Sequence, residues 1–316
     1  MVLFFLSILM FGSLLPLPAE APHAVFFSLL PAKKDAQILF GGDMMFDRSV
    51  RETMRENGDD HVFSCIRETL LSSDVVVANL EGPITTHSSL SLGSKVDTPE
   101  NVTFTFSTST ATLLKRHNMS LVNIGNNHIM NFSREGLLQT KKWLDGAGIQ
   151  YFGDPDSTES DRVARLEING IPFSFVNWSD WTPVRKLSAS NGAGELNPVV
   201  EQVRTEAESK RVVVVYAHWG EEYVPPTKPM RQLAHSFVDA GAEIVIGSHP
   251  HIVQEHELYN GKDIYYSLGN FVFDQYWNDE VSTGLLLRVT FDKDGVQSIA
   301  EIPVKLSRDK RVCVIE

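Results

Sequence analysis

Ile244-Val245-Ile246-Gly247-Ser248-His249-Pro250-His251 joins a β-branched apolar run to two imidazoles one residue apart. Four other apolar runs also end in side chains that bind metal. Ile38-Leu39-Phe40 leads into Gly41-Gly42-Asp43, and Val75-Val76-Val77-Ala78 into Asn79-Leu80-Glu81. Leu121-Val122-Asn123-Ile124 leads into Gly125-Asn126-Asn127-His128, and Val212 to Tyr216 into Ala217-His218. Continuous runs of this length suit strands covered on both faces. In open α/β sheets, ligands bind outside the carboxyl ends of the strands. A single Asp or His after a strand is usually a cap or a turn residue. The same ending on five successive runs points to one shared site.

Helical signals lie between the runs. Ser133 to Ala147 places Leu137, Leu138, Trp143 and Leu144 near one face and stops at Gly148. Asn197-Pro198 reads as a cap and first-turn pair opening a helix through Glu208, and Arg231 to Ala240 reads as another, stopped by Gly241. From Glu255 the pattern turns to strands: His256–Tyr259, Ile264–Ser267, Gly284–Phe291 and Gln297–Leu306, the last two joined by a Lys293-Asp294-Gly295 turn. Val184 to Asn197 reads as a surface loop. The expected division is a leader at 1–21, a linker at 22–36, one domain at 37–306 completed by the strands of 284–306, and a tail at 307–316.

The 316 residues carry 28 Lys and Arg against 40 Asp and Glu, a net charge of −12. That balance argues against nucleic acid as a partner, which needs a basic face to displace counterions. It leaves room for a phosphate substrate, because bound metal reverses the local sign. Val2 to Leu17 is almost wholly apolar. At about 1.5 Å per residue it spans roughly 24 Å, short of a ~30 Å hydrocarbon core. It reads as the apolar region of a secretory signal with Ala19-Glu20-Ala21 as a cleavage site, which places the protein outside the cytoplasm, secreted or membrane-anchored; the alternatives are an uncleaved anchor or an odd cytosolic tail. Asn101, Asn118, Asn131 and Asn177 open sequons that matter only in a glycosylating pathway. Cys65 and Cys313 exclude an all-cysteine metal site, and sequence alone does not place them within disulfide reach.

Carboxylates such as Asp43 and Glu81 suit Mn²⁺, Fe or Mg²⁺, and imidazoles suit Zn²⁺, Mn²⁺ and Fe. One carboxylate can bridge two ions, and a two-ion clamp stabilises the attacking and leaving oxygens of an in-line phosphoryl displacement. An imidazole beside the ions could protonate the leaving oxygen. Gly42-Asp43 with Arg48, Asn79-Leu80-Glu81-Gly82, Asn126-Asn127-His128, His218-Trp219-Gly220-Glu221-Glu222-Tyr223, Gly247 to His251, and Tyr266-Ser267-Leu268-Gly269-Asn270-Phe271 stand in order. Together they resemble the CapA family of poly-γ-glutamate and capsule biosynthesis proteins, a branch of the calcineurin-like metallophosphoesterases. The resemblance covers about Gln37 to Asp274.

That resemblance implies an α/β fold, the metallophosphoesterase-like four-layer sandwich of two packed mixed β-sheets flanked by helices. It implies one or two divalent ions (Mn, Fe, Zn or Mg) on Asp43, Glu81, Asn127, His218, His249 and His251, with His128 as the catalytic imidazole. It further implies a poly-γ-glutamate or phosphoester substrate and a membrane polymer-synthesis complex as partner. Two positions depart from the pattern. Met45 stands where ordinary metallophosphoesterases have His, so one ion is expected to be weakly held. Asn131 stands where this family usually has Asp.

Other residues carry open alternatives. Arg48 either clamps an anionic substrate or pairs with Asp47 or Glu52. Asn79 either contacts substrate, bonds the backbone near the site or simply turns the chain. Glu221 and Glu222 either orient His218 or sit on a solvated loop. Trp219 and Tyr223 are expected in the core, and His61, His87, His117, His235 and His256 are assigned no role. Three functions compete: an exported accessory enzyme of capsule production with a metal-dependent hydrolase site, a metallophosphatase of another phosphoester, and a non-catalytic metal-binding assembly factor. Fold analogy does not choose among them.

Overall fold

Strand β1 (Ala36–Met44) is buried along nearly its whole length, which makes it the natural centre of a sheet. In the computed structural model, which describes residues 35–156, 162–181 and 197–315, it holds that place. On one side, β2 (Val75–Leu80), β3 (Leu121–Asn123) and β4 (Gln150–Phe152) follow in parallel. On the other side, β12 (Thr283–Asp292), β13 (Gly295–Leu306) and β14 (Val312–Val314) run antiparallel to their neighbours. The short β11 (Asn270–Val272) pairs in parallel with the end of β1.

A second sheet has the order β5 (Val163–Ile168), β6 (Ile171–Ser179), β7 (Val212–His218), β8 (Ile244–Ser248), β10 (Lys262–Tyr265), β9 (His256–Tyr259). Its middle is parallel and both edges are antiparallel hairpins. The alternation along the strands sorts side chains into layers. Phe40, Val77 and Phe152 of the first sheet meet Phe175, Val214, Tyr216 and Ile246 of the second in one apolar layer. Leu39, Val76 and Val122 point the other way, onto the helices Arg48–Asn57, Ser109–Arg116 and Ser133–Gly146. Val213, Val215 and Val245 face the helices Pro198–Glu208 and Lys228–Asp239. The result is the expected sandwich, helices outside and two mixed sheets between.

One segment laces the two sheets together at the strand ends. Leu268 N–H donates to Gly247 O at 3.0 Å, and Asp43 N–H donates to Gly269 O at 3.0 Å. The approach is close enough to require glycine on both strands. A Cβ at Gly42 would lie 1.8 Å from Gly269 O, and one at Gly247 would lie 1.9 Å from Tyr266 O.

Several boundaries differ from the sequence reading. The helix expected from Arg231 begins at Lys228, because Thr227 caps it by accepting Met230 N–H at 3.4 Å. Leu138 is 52% exposed and leaves the apolar face to Leu137 and Leu144. The β5–β6 hairpin turns on Asn169-Gly170, with φ of 52° and 82°. Both central residues lie in the left-handed region, as a two-residue hairpin turn of this kind needs. Residues 307–316, expected as a tail, contribute β14, and Cys313 on that strand forms a disulfide with Cys65 across 248 residues of sequence. The leader at 1–21, nearly all of the linker at 22–36 and the loop before Asn197 lie outside the described residues. Among the described residues no helix is long and apolar enough to cross a membrane.

Candidate metal centre

β1, β2 and β3 of one sheet and β7 and β8 of the other deliver their carboxyl ends to the same place. Glu81 follows β2 and is fully buried, yet neither of its carboxylate oxygens has a hydrogen-bond donor. Its surroundings explain why none arrives. Asn270 donates its amide hydrogens to Gln275 Oε1 and Val281 O, both at 2.9 Å, which leaves its Oδ1 to accept from His251 Nδ1 at 2.9 Å. His251 Nδ1 therefore carries the ring proton, and its Nε2 presents a lone pair 3.7 Å from Glu81 Oε1.

His128 is arranged the same way. Asn131 Oδ1 accepts Phe104 N–H at 2.8 Å and lies 3.2 Å from His128 Nδ1, so that nitrogen is the donor. His128 Nε2 then faces Glu81 Oε1 at 4.0 Å with a lone pair. His249 Nδ1 is buried and also lacks a partner. Ligand atoms of Glu81, His249 and His251 lie within 4.8 Å of one another. A buried carboxylate ringed by acceptors needs a cation, and either a proton or a metal ion meets that need. Without metal, the Glu81 carboxyl is pushed well above its ordinary range, by burial and then by the Asp43 charge. Burial holds His128 down at about 4 and His249 at about 3, so both rings are neutral near pH 7, the form that binds metal.

Asp43 is treated in the opposite way. Burial alone would raise its carboxyl, but its contacts with the His251 and His218 rings and the His249 N–H outweigh it and hold it well below the usual carboxylate range. Its Oδ1 accepts from Asn79 Nδ2 at 2.8 Å and its Oδ2 accepts His249 N–H at 3.0 Å. Asn79 Oδ1 in turn accepts from Asn123 at 2.9 Å and Asn126 at 3.0 Å, and Asn123 Oδ1 accepts from Asn177 at 2.9 Å. A ladder of buried amides thus reaches from β6 through β3 and β2 to the carboxylate on β1.

The backbone is strained where it aims the ligands. His249 and His251 have φ of 94° and 59°, conformations that cost a residue with a side chain about 1–3 kcal/mol each. That geometry points His249 N–H at Asp43 while both rings turn into the site. Trp181 lies against His249, with ring centroids 4.3 Å apart.

The site opens into a cleft of about 700 Å³ lined by Arg48, Phe104, His128, Tyr223, His251 and Trp277 among others. The Arg48 guanidinium sits over the Phe104 and Phe273 rings at 5.1 and 5.4 Å. Its ion pair is with Asp274 at 2.5 Å, not with Asp47 or Glu52. Asp47 belongs instead to Arg51, at 2.7 Å.

The structure brings Asp43, Glu81, His249 and His251 together, with His128 at the rim. Asn127 and His218 satisfy each other. His218 Nδ1 is met by Asn79 Nδ2 at 3.2 Å, so Nε2 carries the proton and donates to Asn127 Oδ1 at 2.8 Å. Three expectations need correction. Asn79 does not reach substrate: it is fully buried, and Asp43, Asn123 and Asn126 consume its amide. Tyr223 is not core but is 39% exposed in the cleft, while Trp219 is fully buried as expected. Met45 is not a gap in the ligand set. It is fully buried in the apolar layer outside the first sheet, and its thioether accepts Asp47 N–H at 3.0 Å. The sequence assigns Asn123, Asn177 and Asn270 no part in the site, because a lone Asn in an apolar run carries no signal of its partner.

Two mixed sheets packed between helices, with acid, amide and imidazole side chains at their converging strand ends, define a metallophosphoesterase-like fold. The crystal structure of a hypothetical protein from Thermus thermophilus is similar, with a TM-score of 0.52 at 14% identity over 85% of this chain and 99% of that one; the likeness is one of fold. The model of the bacterial capsule synthesis protein family PGA_cap matches residues 37–275, and the chain belongs to that family. Its relatives include the PGA biosynthesis protein CapA of Bacillus subtilis, 29% identical over 95% of this chain and 78% of that protein. The capsule biosynthesis protein CapA of Bacillus anthracis is 31% identical over 78% of this chain and 61% of its own length. This chain thus spans less than two thirds of the second relative.

Proposed function

We propose that this chain is an exported protein of capsule or poly-γ-glutamate production whose cleft is a metal-dependent phosphoester hydrolase. The observation that carries the hydrolase reading is the buried Glu81 carboxylate with no donor, faced by lone pairs of His251 and His128 and by the unpartnered His249 Nδ1. Asp43, Glu81, His249 and His251 would hold one or two divalent ions, with Asn127 and His218 released from each other to join them. A divalent ion there would supply a Lewis acid to a phosphoryl oxygen.

The chain's own groups supply the rest. His128 is neutral near pH 7 with its lone pair at Nε2, so it takes up a proton from water in the cleft and gives that proton to the leaving oxygen. Asn131 fixes that tautomer in place of an acid, because an amide oxygen suffices to hold Nδ1–H. Arg48, oriented by Asp274 and the two phenylalanine rings, offers its guanidinium to an anionic substrate in the cleft.

Capsule production is supported by the family and by the names of the Bacillus relatives. A membrane polymer-synthesis complex is the partner this reading favours. Export is supported by the apolar run at Val2–Leu17 and by the Cys65–Cys313 bond, since disulfides persist in oxidising compartments. The test is turnover of a generic phosphoester by the purified chain with added Mn²⁺, compared with His128→Ala. Loss of a single proton-transfer group should lower turnover by ~10²–10⁴-fold while metal remains bound. Equal turnover in both proteins, or none in either at full metal loading, would overturn the hydrolase reading.

A further inference from the structure

Tyr223 stands beside the Glu81 centre in a backbone conformation that disfavours it. Its φ is 64°, in the left-handed region, where a bulky side chain is an outlier. Its N–H donates to Pro250 O at 2.9 Å, which ties it to the turn that carries His249 and His251. Its ring centre lies 6.0 Å from that of His251, and Trp277 meets it edge to face with centroids 5.4 Å apart. Left 39% exposed in the cleft, Tyr223 does not offset that strain by burial.

The hydrogen bonds behind Tyr223 fix which way its hydroxyl proton points. Val281 O is a backbone carbonyl and only accepts, so the Asn270 atom 2.9 Å from it is the amide nitrogen. The second hydrogen of that nitrogen goes to Gln275 at 2.9 Å, so the Gln275 atom there is Oε1. Gln275 is buried, and its remaining polar atom, Nε2, donates to the Tyr223 hydroxyl at 2.9 Å. The hydroxyl therefore accepts on the protein side and is left to donate its own hydrogen. A phenol keeps that hydrogen throughout the neutral range. Glu222 is the neighbour that draws it while the cleft is empty. Glu222 is exposed, so water satisfies its carboxylate when the hydrogen turns away.

We propose that the Tyr223 hydroxyl is a substrate-binding group that donates a hydrogen bond to a non-bridging oxygen of a phosphoryl group held in the cleft. Arg48 flanks the His128 side of Glu81, lying over Phe104, whose ring centre is 4.4 Å from that of His128. Tyr223 flanks the His251 side, so the cleft offers an oxyanion one donor from each wall. The phenol donor is set in advance. Gln275 and Asn270 are buried and fully bonded behind it, so nothing has to reorganise as charge builds on the oxygen. The proposal rests on the hydrolase reading for the reaction; holding a phosphate oxygen does not require turnover.

The experiment compares the full chain with Tyr223→Phe, which keeps the ring and removes only the hydroxyl. Melting curves and Mn²⁺ titrations should nearly coincide. Calorimetric titration of both Mn²⁺-loaded proteins with inorganic phosphate should show affinity about tenfold or more weaker in the variant, the loss of one hydrogen bond to a charged group. With a generic phosphoester, kcat should fall about a hundredfold and KM should rise much less, because the bond tightens as charge builds on the oxygen. Equal phosphate affinity and equal kcat in the two proteins overturn the proposal and leave the hydrolase standing. Weaker phosphate binding by the variant, with no turnover in either protein, supports the hydroxyl as an oxyanion donor and removes the hydrolase. A loss that arrives with a lower melting point or with lost metal overturns the proposal, because Tyr223 would then be supporting His251 and not the substrate. A metal-loaded wild type that binds no phosphate overturns it as well.

Discussion

Replacing Glu81 by Gln removes a buried charge and leaves the shape of the side chain. In the metal-free wild type the Glu81 carboxyl is raised above its ordinary 4.5. Above pH 4.5, and up to its folded value, the native state therefore holds a proton that the unfolded chain has released. The sign follows: Glu81's own contribution to metal-free stability is greatest at or below pH 4.5 and falls as pH rises, by up to about 1.4 kcal/mol per unit, while His128 and His249, neutral in the folded chain, contribute the opposite slope below the ordinary imidazole value of 6.5. That falling contribution of Glu81 is therefore smaller at pH 7 than at pH 4.5. Glu81→Gln should remove this slope, because an amide stays neutral and its N–H can donate to the lone pair of His251 or His128. In chelator at pH 7 the variant should thus be more stable than the wild type. With Mn²⁺ the order should invert. Ligand at a hundred times its dissociation constant adds about 2.7 kcal/mol to the wild type, and the variant should gain little of it. Urea denaturation between pH 5 and pH 8, with chelator and with Mn²⁺, reads all four cases. A variant that is less stable than the wild type in chelator at pH 7, and that keeps the full Mn²⁺ gain, would refute the reasoning.

Met45→His should lower stability by about 2–4 kcal/mol without raising the metal stoichiometry, because it puts an imidazole into the apolar layer outside the first sheet; metal titration and melting check it. Gly42→Ala should cost about 3 kcal/mol and weaken metal binding together, since its Cβ would meet the Gly269 carbonyl and push Asp43 aside; a urea midpoint with a Mn²⁺ titration shows both. Cys313→Ser should cost about 2–5 kcal/mol by freeing β14 from the Cys65 loop, and reduction of the wild type should match it in thermal unfolding.

The strands that build the site were legible because each is an unbroken apolar run that breaks into ligand-type side chains. The allocation of those runs was not. Nothing in Val212 to Tyr216 or Ile244-Val245-Ile246 says that β7 and β8 belong to a different sheet from β1, β2 and β3. Pairing is a long-range property, and period and propensity report only local burial. The helix Arg48–Asn57 escaped notice because only Val50 and Met54 of its residues are buried, too few to write an apolar face. The β5–β6 hairpin was hidden for a related reason: Val163–Ile168 mixes buried and exposed positions with no clean alternation. At the site, residue type showed which side chains bind metal but not which atoms face inward. His128 and His251 owe their tautomers to Asn131 and Asn270, residues that look like turn and strand filler in sequence. Met45 was misjudged because a position in a motif does not reveal the direction of a side chain. The partner of Arg48, Asp274, lies 226 residues away and is paired by the fold.

The most direct test of the Glu81 centre is an anomalous difference map from crystals of the full chain soaked in Mn²⁺. Coordination should place a peak about 2.0–2.3 Å from a Glu81 oxygen and a nitrogen of His249 or His251. A map with no peak there at saturating Mn²⁺, and a Glu81 carboxyl hydrogen-bonded to His251 Nε2, would show that a proton and not a metal fills the site.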